Sequence, residues 1–370
     1  MNGGNFNIDT HKKRVLVSPL DWGLGHATRC IPIIKELLEQ GCHVFVAAEG
    51  AQKNLLQEEF PGLHFLALRG YRVQYSRHKK WLPVKILQQL PSILHRIRKE
   101  RAWLKKAIGE HQVDLVISDN RYGFYNKKIP CVFITHQLAI QTGHGFNDWL
   151  AQRINYYFIN KFNACWVPDE AGTNNIAGKL SHPVRLPKTK IEYLGLISRF
   201  EKKELPMQYE LAILLSGPEP QRTIFEDTLL EQLKSVNQKT VLVRGLPGEV
   251  ALPYCPNDCV HIYNHLPGDA LNKVILQSGT ILCRSGYTSI MDLLKLQKKA
   301  LLVPTPGQTE QEYLAEHLMQ QQFFFSVEQK DFNLRFYLEQ MKNFGFTSFA
   351  PAGEKYREVI ADFIAGQQER

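Results

Sequence analysis

The chain has 370 residues, 44% hydrophobic and 22% charged, with 25 Gly and 19 Pro. That composition can bury a sizeable core, excludes disordered, collagen-like and low-complexity chains, and at this length suits two domains. The formal net charge is +9. No run of about 18 apolar residues reads as a membrane-spanning helix. The polar opening MNGGNFNIDTHKKR lacks the apolar core of a secretory signal.

Arg14 to Leu20 reads as an apolar strand, DWGLGH as a glycine loop, and Ala27 to Gln40 as a helix. The helix shows Ile31, Ile34, Leu37 and Leu38 at helical spacing and ends at Gly41. Strands are expected at His43 to Ala48, His64 to Leu68, Leu115 to Ser118, Cys131 to Thr135 and Cys165 to Pro168. Ser181 to Pro206 carries Pro183, Pro187 and Pro206 without a sustained period. It reads as a linker and hinge holding one short strand around Tyr193. The pattern then restarts, with a strand at Glu210 to Ser216, a GPEPQR loop and a helix at Thr223 to Val236. Further strands follow at Thr240 to Val243, Val260 to Tyr263, Thr280 to Cys283 and Ala300 to Val303.

This alternation implies an α/β chain with parallel sheets covered by helices. The division expected is a Rossmann-like domain over 1–182, a linker over 183–207 and a second Rossmann-like domain over 208–370. The last helix has room to pack back on the first domain. Ligands of such sheets bind outside the carboxyl ends of the strands, so chemistry is sought in the loops there.

Seven cysteines, at 30, 42, 131, 165, 255, 259 and 283, are scattered and odd in number. A disulfide framework would be denser and even-numbered, so a reducing, cytoplasmic setting is expected. Cys255 and Cys259 stand in PYCPNDC with no second pair, a poor zinc site. Neither a metal nor a cofactor is expected.

The charge is concentrated. Between Arg69 and Lys106 twelve Lys or Arg accompany one acid, Glu100, a net +11 that leaves the rest near neutral. Apolar groups interleave with them, among them Tyr71, Tyr75, Trp81, Leu82 and Trp103. Such a stretch suits an anionic membrane surface. The plainer account is an amphipathic helix after Pro91, with Ile93, Ile97, Leu104 and Ile108 facing the core and the charges in water. No nucleic acid partner is expected, although such a stretch would attract one.

Three loop groups carry candidate chemistry. In DWGLGHATR, Gly23 and Gly25 let a ligand approach backbone N–H groups, and the helix that opens there favours an anion. Position 28 is Thr, so GxGxxG is not completed and a dinucleotide is disfavoured, despite Glu49 at the end of the second strand. His26, at the helix mouth, suits a base or hydrogen-bond donor near neutral pH, or a simple cap. Ser216 and Gly217 in SGPEPQR repeat the anion-site logic in the second domain. In CRSGYTSIMDLL, the segment Arg284, Ser285, Gly286, Tyr287, Thr288 and Ser289 opens a helix. Its hydroxyl and N–H groups suit a diphosphate, and Asp292, further along, suits ribose hydroxyls. Gln311 and Glu312 open the next helix and suit a sugar. Asp119 in VISDN, with His136 and Gln137 in THQ, ends two first-domain strands and should face the same cleft, unless these are only caps and loop hydrogen bonds.

The second-half motifs resemble the C-terminal domain of glycosyltransferase family 28, the family of MurG-like UDP-sugar transferases. There an Arg-Ser-Gly segment is followed, six residues after the Gly, by a ribose-binding acid. Here those are Arg284, Ser285, Gly286 and Asp292, an Asp in place of the usual Glu. The family's paired glutamines on the donor sugar match Gln311 and Glu312. Its interdomain Arg matches Arg199 in GLISR, without the preceding Asn and Pro. Its second glycine loop corresponds to SGPEPQR, with a different pattern. The N-terminal WGLGHATR departs from the family's Gly-Gly-Thr-Gly-Gly-His. It is closer to the PseG-like UDP-sugar hydrolases, in which Gly-His is followed by Arg, here Arg29, and the matching His26 would handle the attacking water.

The resemblance implies a GT-B fold with two domains facing across a cleft. It implies an inverting transfer of a hexosamine-type sugar from a UDP-sugar, held by the second domain, to an acceptor hydroxyl on the first. His26 would serve as base or as a contact to phosphate and acceptor. A lipid-linked acceptor, with the enzyme peripheral on the inner face of the membrane, would account for the basic segment. Two alternatives remain: a UDP-sugar hydrolase, and a nucleotide-sugar or polyanion-binding protein without turnover.

Overall fold

The computed structural model describes residues 12–70, 82–141, 145–248 and 250–366. Its first part runs β1 (Arg14–Pro19), α1 (Gly25–Glu39), β2 (His43–Ala47), α2 (Gly50–Glu59), β3 (His64–Leu66), α3 (Leu82–His111), β4 (Leu115–Asp119), β5 (Cys131–Ile134), α4 (Gly145–Ile159), β6 (Ala164–Val167) and β7 (Lys190–Tyr193). These strands form one sheet in the order β3-β2-β1-β4-β5-β6-β7, with every pairing parallel. Strands covered by helices on both faces read as continuous apolar runs, as in VLV and LVIS. Alternate residues separate onto the two faces. Val15, Val17, Ile117 and Ile134 pack on the α1 side, whereas Leu16, Val116 and Phe133 pack with Leu104 of α3.

The second part runs β8 (Tyr209–Leu214), α5 (Gln221–Leu233), β9 (Thr240–Val243), β10 (Val260–Tyr263), α6 (Gly268–Leu276), β11 (Ser278–Cys283), α7 (Tyr287–Lys295), β12 (Ala300–Leu302), α8 (Thr309–Gln320), β13 (Phe325–Ser326), α9 (Leu334–Lys342) and α10 (Lys355–Ala365). Its sheet, β10-β9-β8-β11-β12-β13, is also parallel throughout. The two Rossmann-like units expected from the sequence are therefore present.

One buried apolar cluster spans both units, joining Ile31, Ile34 and Leu37 of α1 to Tyr287 and Ile290 of α7 and Ile360 of α10. The last helix returns to the first domain. Arg357 pairs with Glu36 and Glu39 of α1 at 2.7 Å, and Phe363 stands edge-on to Trp166.

Three expectations need adjustment. The short strand expected around Tyr193 is present as β7, but it pairs with β6, so the chain leaves the first sheet only after Tyr193 and not at residue 183. The basic helix does not begin after Pro91: α3 starts at Leu82 and continues through it. A proline removes one backbone hydrogen bond, and the intact turns on either side carry this helix on. Trp103 offers only part of its ring to an outer surface, because it is half-buried and stacks 6.0 Å from Phe124.

The remaining described part of α3 is amphipathic as read. Ile97 and Leu104 are buried, while Arg98, Lys99, Arg101, Lys105 and Lys106 are exposed. Glu100, the lone acid of the basic stretch, is buried and accepts from Arg121 at 2.5 Å. Residues 71–81, with Lys79, Lys80 and Trp81, lie outside the described residues, as does the side chain of Lys85. All seven cysteines are free. No helix among the described residues is long and apolar enough to cross a membrane.

Candidate active site

Strand order decides which loops meet. In the first sheet β1, β4 and β5 are neighbours, so their carboxyl ends bring together His26, Asp119 and His136. In the second sheet β8, β11 and β12 are neighbours, which groups Ser216, the Arg284–Ser289 segment and the loop leading to Glu312. The two edges touch. Thr288 Oγ1 donates to the Gly25 carbonyl at 3.2 Å, Tyr287 Oη to that of Pro168 at 2.6 Å, and Thr309 Oγ1 to that of Gln141 at 2.9 Å.

At the meeting point lies a chain of charged and imidazole groups. Asp119, fully buried at the end of β4, accepts from Arg29 Nε at 3.1 Å and from Arg29 Nη2. His26 Nδ1 lies 3.0 Å from Asp119 Oδ1. Burial pushes the Asp119 pKa up, but Arg29 and His26 outweigh it and hold the carboxyl well below the usual carboxylate range. An ionised carboxylate only accepts, so it draws the His26 proton to Nδ1 and leaves Nε2 with a lone pair. That is the arrangement of an oriented general base.

The chain continues across the cleft. Arg29 Nη1 is 3.1 Å from His136 Nδ1, and His136 Nε2 is 2.7 Å from Glu310 Oε1 at the start of α8. Gln137 also donates to Glu310. The His136 ring stacks on Tyr287, with centroids 4.0 Å apart and planes 4° apart. Burial pushes the His136 pKa down, partly opposed by Glu310. Burial raises that of Glu310, but His136, His26 and Arg29 bring it below its ordinary value.

Several expected donor residues are engaged elsewhere. Arg284 is buried and donates to the carbonyls of Val303, Pro304 and Gln221, with its guanidinium 4.4 Å over the Phe225 ring. It ties together the loops that carry Val303, Pro304 and Gln221. Ser285 Oγ donates to the Gln311 carbonyl at 2.8 Å. Gln311 Oε1 and Glu312 Oε1 accept from the backbone N–H of Thr305 and Gly307, both at 2.9 Å, and so hold their own loop. Glu310, one residue earlier, takes the cross-cleft place, because each step along a helix turns the side chain by about 100°. Reading the sequence missed it; the run of polar residues in GQTEQEY was its signal.

Asp292 is buried and accepts from Ser198 Oγ at 2.5 Å. Burial pushes its pKa up to about 6, opposed by Arg199 and by the Ser198 hydrogen bond. Arg199 itself extends toward Glu59 of α2, 3.9 Å away. Ser216 and Gly217 lie exposed at the mouth of the loop after β8, and Gly217 has φ +105°, a conformation suited to glycine. Gly23, at φ +73°, has open space at its Cβ position, whereas a Cβ on Gly25 would come within 3.2 Å of Thr288 Oγ1. Gly286 and Ser289 flank the start of α7, half-buried. Thr305 Oγ1, also missed, is buried with no hydrogen-bond partner and lies 3.6 Å from where a Cβ of Gly217 would stand.

Residues 261–350 match the profile of the glycosyltransferase family 28 C-terminal domain. The second half of this protein carries a glycosyltransferase domain. The whole chain resembles solved structures at low sequence identity. CalG4, the calicheamicin glycosyltransferase, has 12% identity over 97% of this chain and 99% of that one, with a TM-score of 0.62. An Arabidopsis thaliana protein complexed with UDP-L-rhamnose has 11% identity, coverage of 97% and 95%, and a TM-score of 0.59. MurG of Acinetobacter baumannii has 14% identity, coverage of 97% and 95%, and a TM-score of 0.51. The fold is thus that of the GT-B glycosyltransferases, two parallel-sheet domains meeting at a cleft. No curated protein matches the chain.

Proposed function

We propose that this glycosyltransferase uses His26 as base to move a hexosamine-type sugar from a UDP-sugar to an acceptor hydroxyl, with inversion. The observation that carries the reading is the buried Asp119 holding His26 Nδ1 at 3.0 Å beside the contact between Gly25 and Thr288. His26 Nε2 takes the acceptor hydroxyl proton as that oxygen bonds to C1 of the sugar. The bond from C1 to the diphosphate breaks, and the nucleoside diphosphate leaves with the electron pair. One displacement inverts the anomeric centre.

The leaving diphosphate is assigned to the edge of the second sheet, where the start of α7 offers backbone N–H groups to an anion. The unpartnered Thr305 hydroxyl beside Gly217 supports the same placement. Asp292 with Ser198 is assigned to the ribose. The structural relative complexed with UDP-L-rhamnose supports a uridine nucleotide.

A lipid-linked acceptor at an anionic membrane surface fits a second group of residues. On α4, Trp149, Leu150, Ile154 and Tyr157 are exposed, with Arg153 4.9 Å over the Trp149 ring and Lys161 3.9 Å over that of Tyr157. Ile97 of α3 and Phe158 of α4 share one buried cluster, and Arg101 of α3 acts electrostatically on the exposed Tyr157, so cations of α3 border this apolar face. Apolar groups ringed by cations suit anionic lipid.

The test is nucleoside diphosphate release from a panel of UDP-sugars, with and without a cell-envelope lipid extract, and NMR assignment of the product anomer. His26→Ala should lower turnover about 10²–10⁴-fold while nucleotide affinity changes little. Release at full speed without an acceptor would instead establish water as the acceptor. Binding without release would establish a non-catalytic protein, and a retained anomer would exclude the single displacement.

A further inference from the structure

We propose that His136 is a positioning residue that couples closure of the cleft to the tautomer of His26. The inference rests on the reading of His26 as base, but its central observation is independent of turnover. His136 stands just after β5, almost completely buried, and is gripped from both domains. Tyr287 of α7 covers one ring face, Glu310 of α8 faces Nε2 at 2.7 Å, and Arg29 of α1 faces Nδ1 at 3.1 Å. His26 and Asp119 are the other titratable groups joined to this network through Arg29.

A guanidinium has only donors and keeps its proton at any working pH. His136 Nδ1 facing it must therefore be an acceptor, which places the ring proton on Nε2, directed at the Glu310 carboxylate. Both ends of the ring thus favour one neutral tautomer.

Arg29 Nη2 also lies 3.1 Å from His26 Nδ1. That nitrogen has two suitors with opposite demands. Asp119 requires it to be N–H, and Arg29 would require it to be a lone pair. In the closed arrangement His136 anchors Arg29 at Nη1 while Asp119 takes Nε and Nη2, so His26 can give its Nδ1 proton to Asp119 and keep Nε2 as a base. Withdrawing the second domain removes Tyr287 and Glu310 from His136 together. The ring is then free to turn or to take a second proton, and in either state it no longer accepts from Arg29. Arg29, no longer anchored at Nη1, can then turn Nη2 away from Asp119 and donate it to His26 Nδ1, and the His26 proton moves to Nε2, where the residue cannot act as base. The base is thereby ready only when the two domains are together.

The experiment compares wild type with His136→Phe and His136→Asn. Phe retains an aromatic ring for the Tyr287 contact but removes both hydrogen bonds, while Asn places a carbonyl oxygen near Nδ1 to accept from Arg29. Long-range ¹H–¹⁵N spectra of ring-labelled protein report the His26 tautomer. Steady-state release of nucleoside diphosphate reports kcat and KM, and UDP titration with a thermal unfolding midpoint confirms that each variant is folded. In wild type His26 should be the Nδ1–H form. In His136→Phe it should move to Nε2–H, with kcat lower by on the order of 100-fold and UDP affinity within about threefold. His136→Asn should restore the Nδ1–H form and at least a tenfold part of the rate.

An unchanged His26 tautomer in folded His136→Phe overturns the proposal. So does equal loss of UDP affinity and rate, which would make His136 a donor ligand, and so does an Asn variant no better than Phe. If Phe does not fold, the Asn variant decides alone: a His26 tautomer moved to Nε2–H there overturns the proposal, and a retained Nδ1–H form with at least a tenth of the wild-type kcat upholds it. Full activity of His26→Ala would remove the base reading, yet a tautomer shift in His136→Phe would still be read by NMR, so the two failures remain distinguishable.

Discussion

Replacing Asp292 by Asn should make the unliganded protein more stable at neutral pH and weaken its hold on nucleotide. Asp292 is buried and accepts from Ser198, and burial pushes its pKa up to about 6 from an ordinary 3.8. A carboxyl whose pKa is higher folded than unfolded binds its proton more tightly when folded. Its favourable contribution is complete below about pH 4 and is withdrawn as the pH rises through 6. The gap of about two pKa units, at roughly 1.4 kcal/mol each, makes ionisation at pH 7.5 cost the fold about 3 kcal/mol. Asn cannot ionise, and its side-chain oxygen still accepts from Ser198. Asp292→Asn should therefore gain about 3 kcal/mol at pH 7.5 and lose that gain by about pH 4.

Urea unfolding followed by tryptophan fluorescence between pH 4 and 7.5 measures the gain. UDP affinity by titration calorimetry should fall, because lost hydrogen bonds to a charged acceptor cost roughly 1.5–3 kcal/mol. Stability gained with binding lost is the pattern of a site that keeps a costly buried charge for its ligand. Equal stability of the two proteins at pH 7.5, or a difference that does not shrink toward pH 4, would refute the reasoning. Unchanged UDP affinity would take Asp292 out of the nucleotide site.

Glu100→Ala should destabilise by about 3–5 kcal/mol, because it leaves the buried Arg121 guanidinium without its carboxylate; thermal unfolding measures it. Gly123→Ala should cost about 1–3 kcal/mol through strain, since its Cβ would fall 2.4 Å from the Ile97 carbonyl oxygen, a backbone atom that cannot swing away. Wild type should co-sediment with anionic vesicles at low salt and release as salt rises, each near-surface cation contributing about 1 kcal/mol before screening. Changing Lys79, Lys80 and Lys85 to Glu should abolish that salt-sensitive part while turnover on a soluble acceptor analogue persists. If wild type ignores anionic vesicles at low salt, a soluble acceptor becomes the better assignment.

The architecture was legible in the sequence because its signals are local. A βαβ chain writes each buried strand as a short apolar run and each helix as a 3.6-residue period, and glycine and proline mark the turns between them. Most strand boundaries fell within a residue or two, and the loops after β1, β8, β11 and β12 were recognisable as ligand loops because they follow such runs. Asp119, His136 and His26 could be named from their places at strand ends.

Tertiary structure decided which of these groups touch. The adjacency of β1, β4 and β5 joins residues more than ninety positions apart, as His26 and Asp119 are. No sequence period encodes that neighbourhood, since strand order is set by how the crossover helices pack. The same holds for choosing among polar neighbours. Glu310, Gln311 and Glu312 are indistinguishable by composition, and only the rotation of α8 against the first domain directs Glu310 across the cleft and the other two back to their loop. Arg284 read as a donor residue because it stands in the Arg-Ser-Gly segment that resembles the family's. Burial gives it other partners, since its two terminal nitrogens donate to three backbone carbonyls and its guanidinium lies over the Phe225 ring.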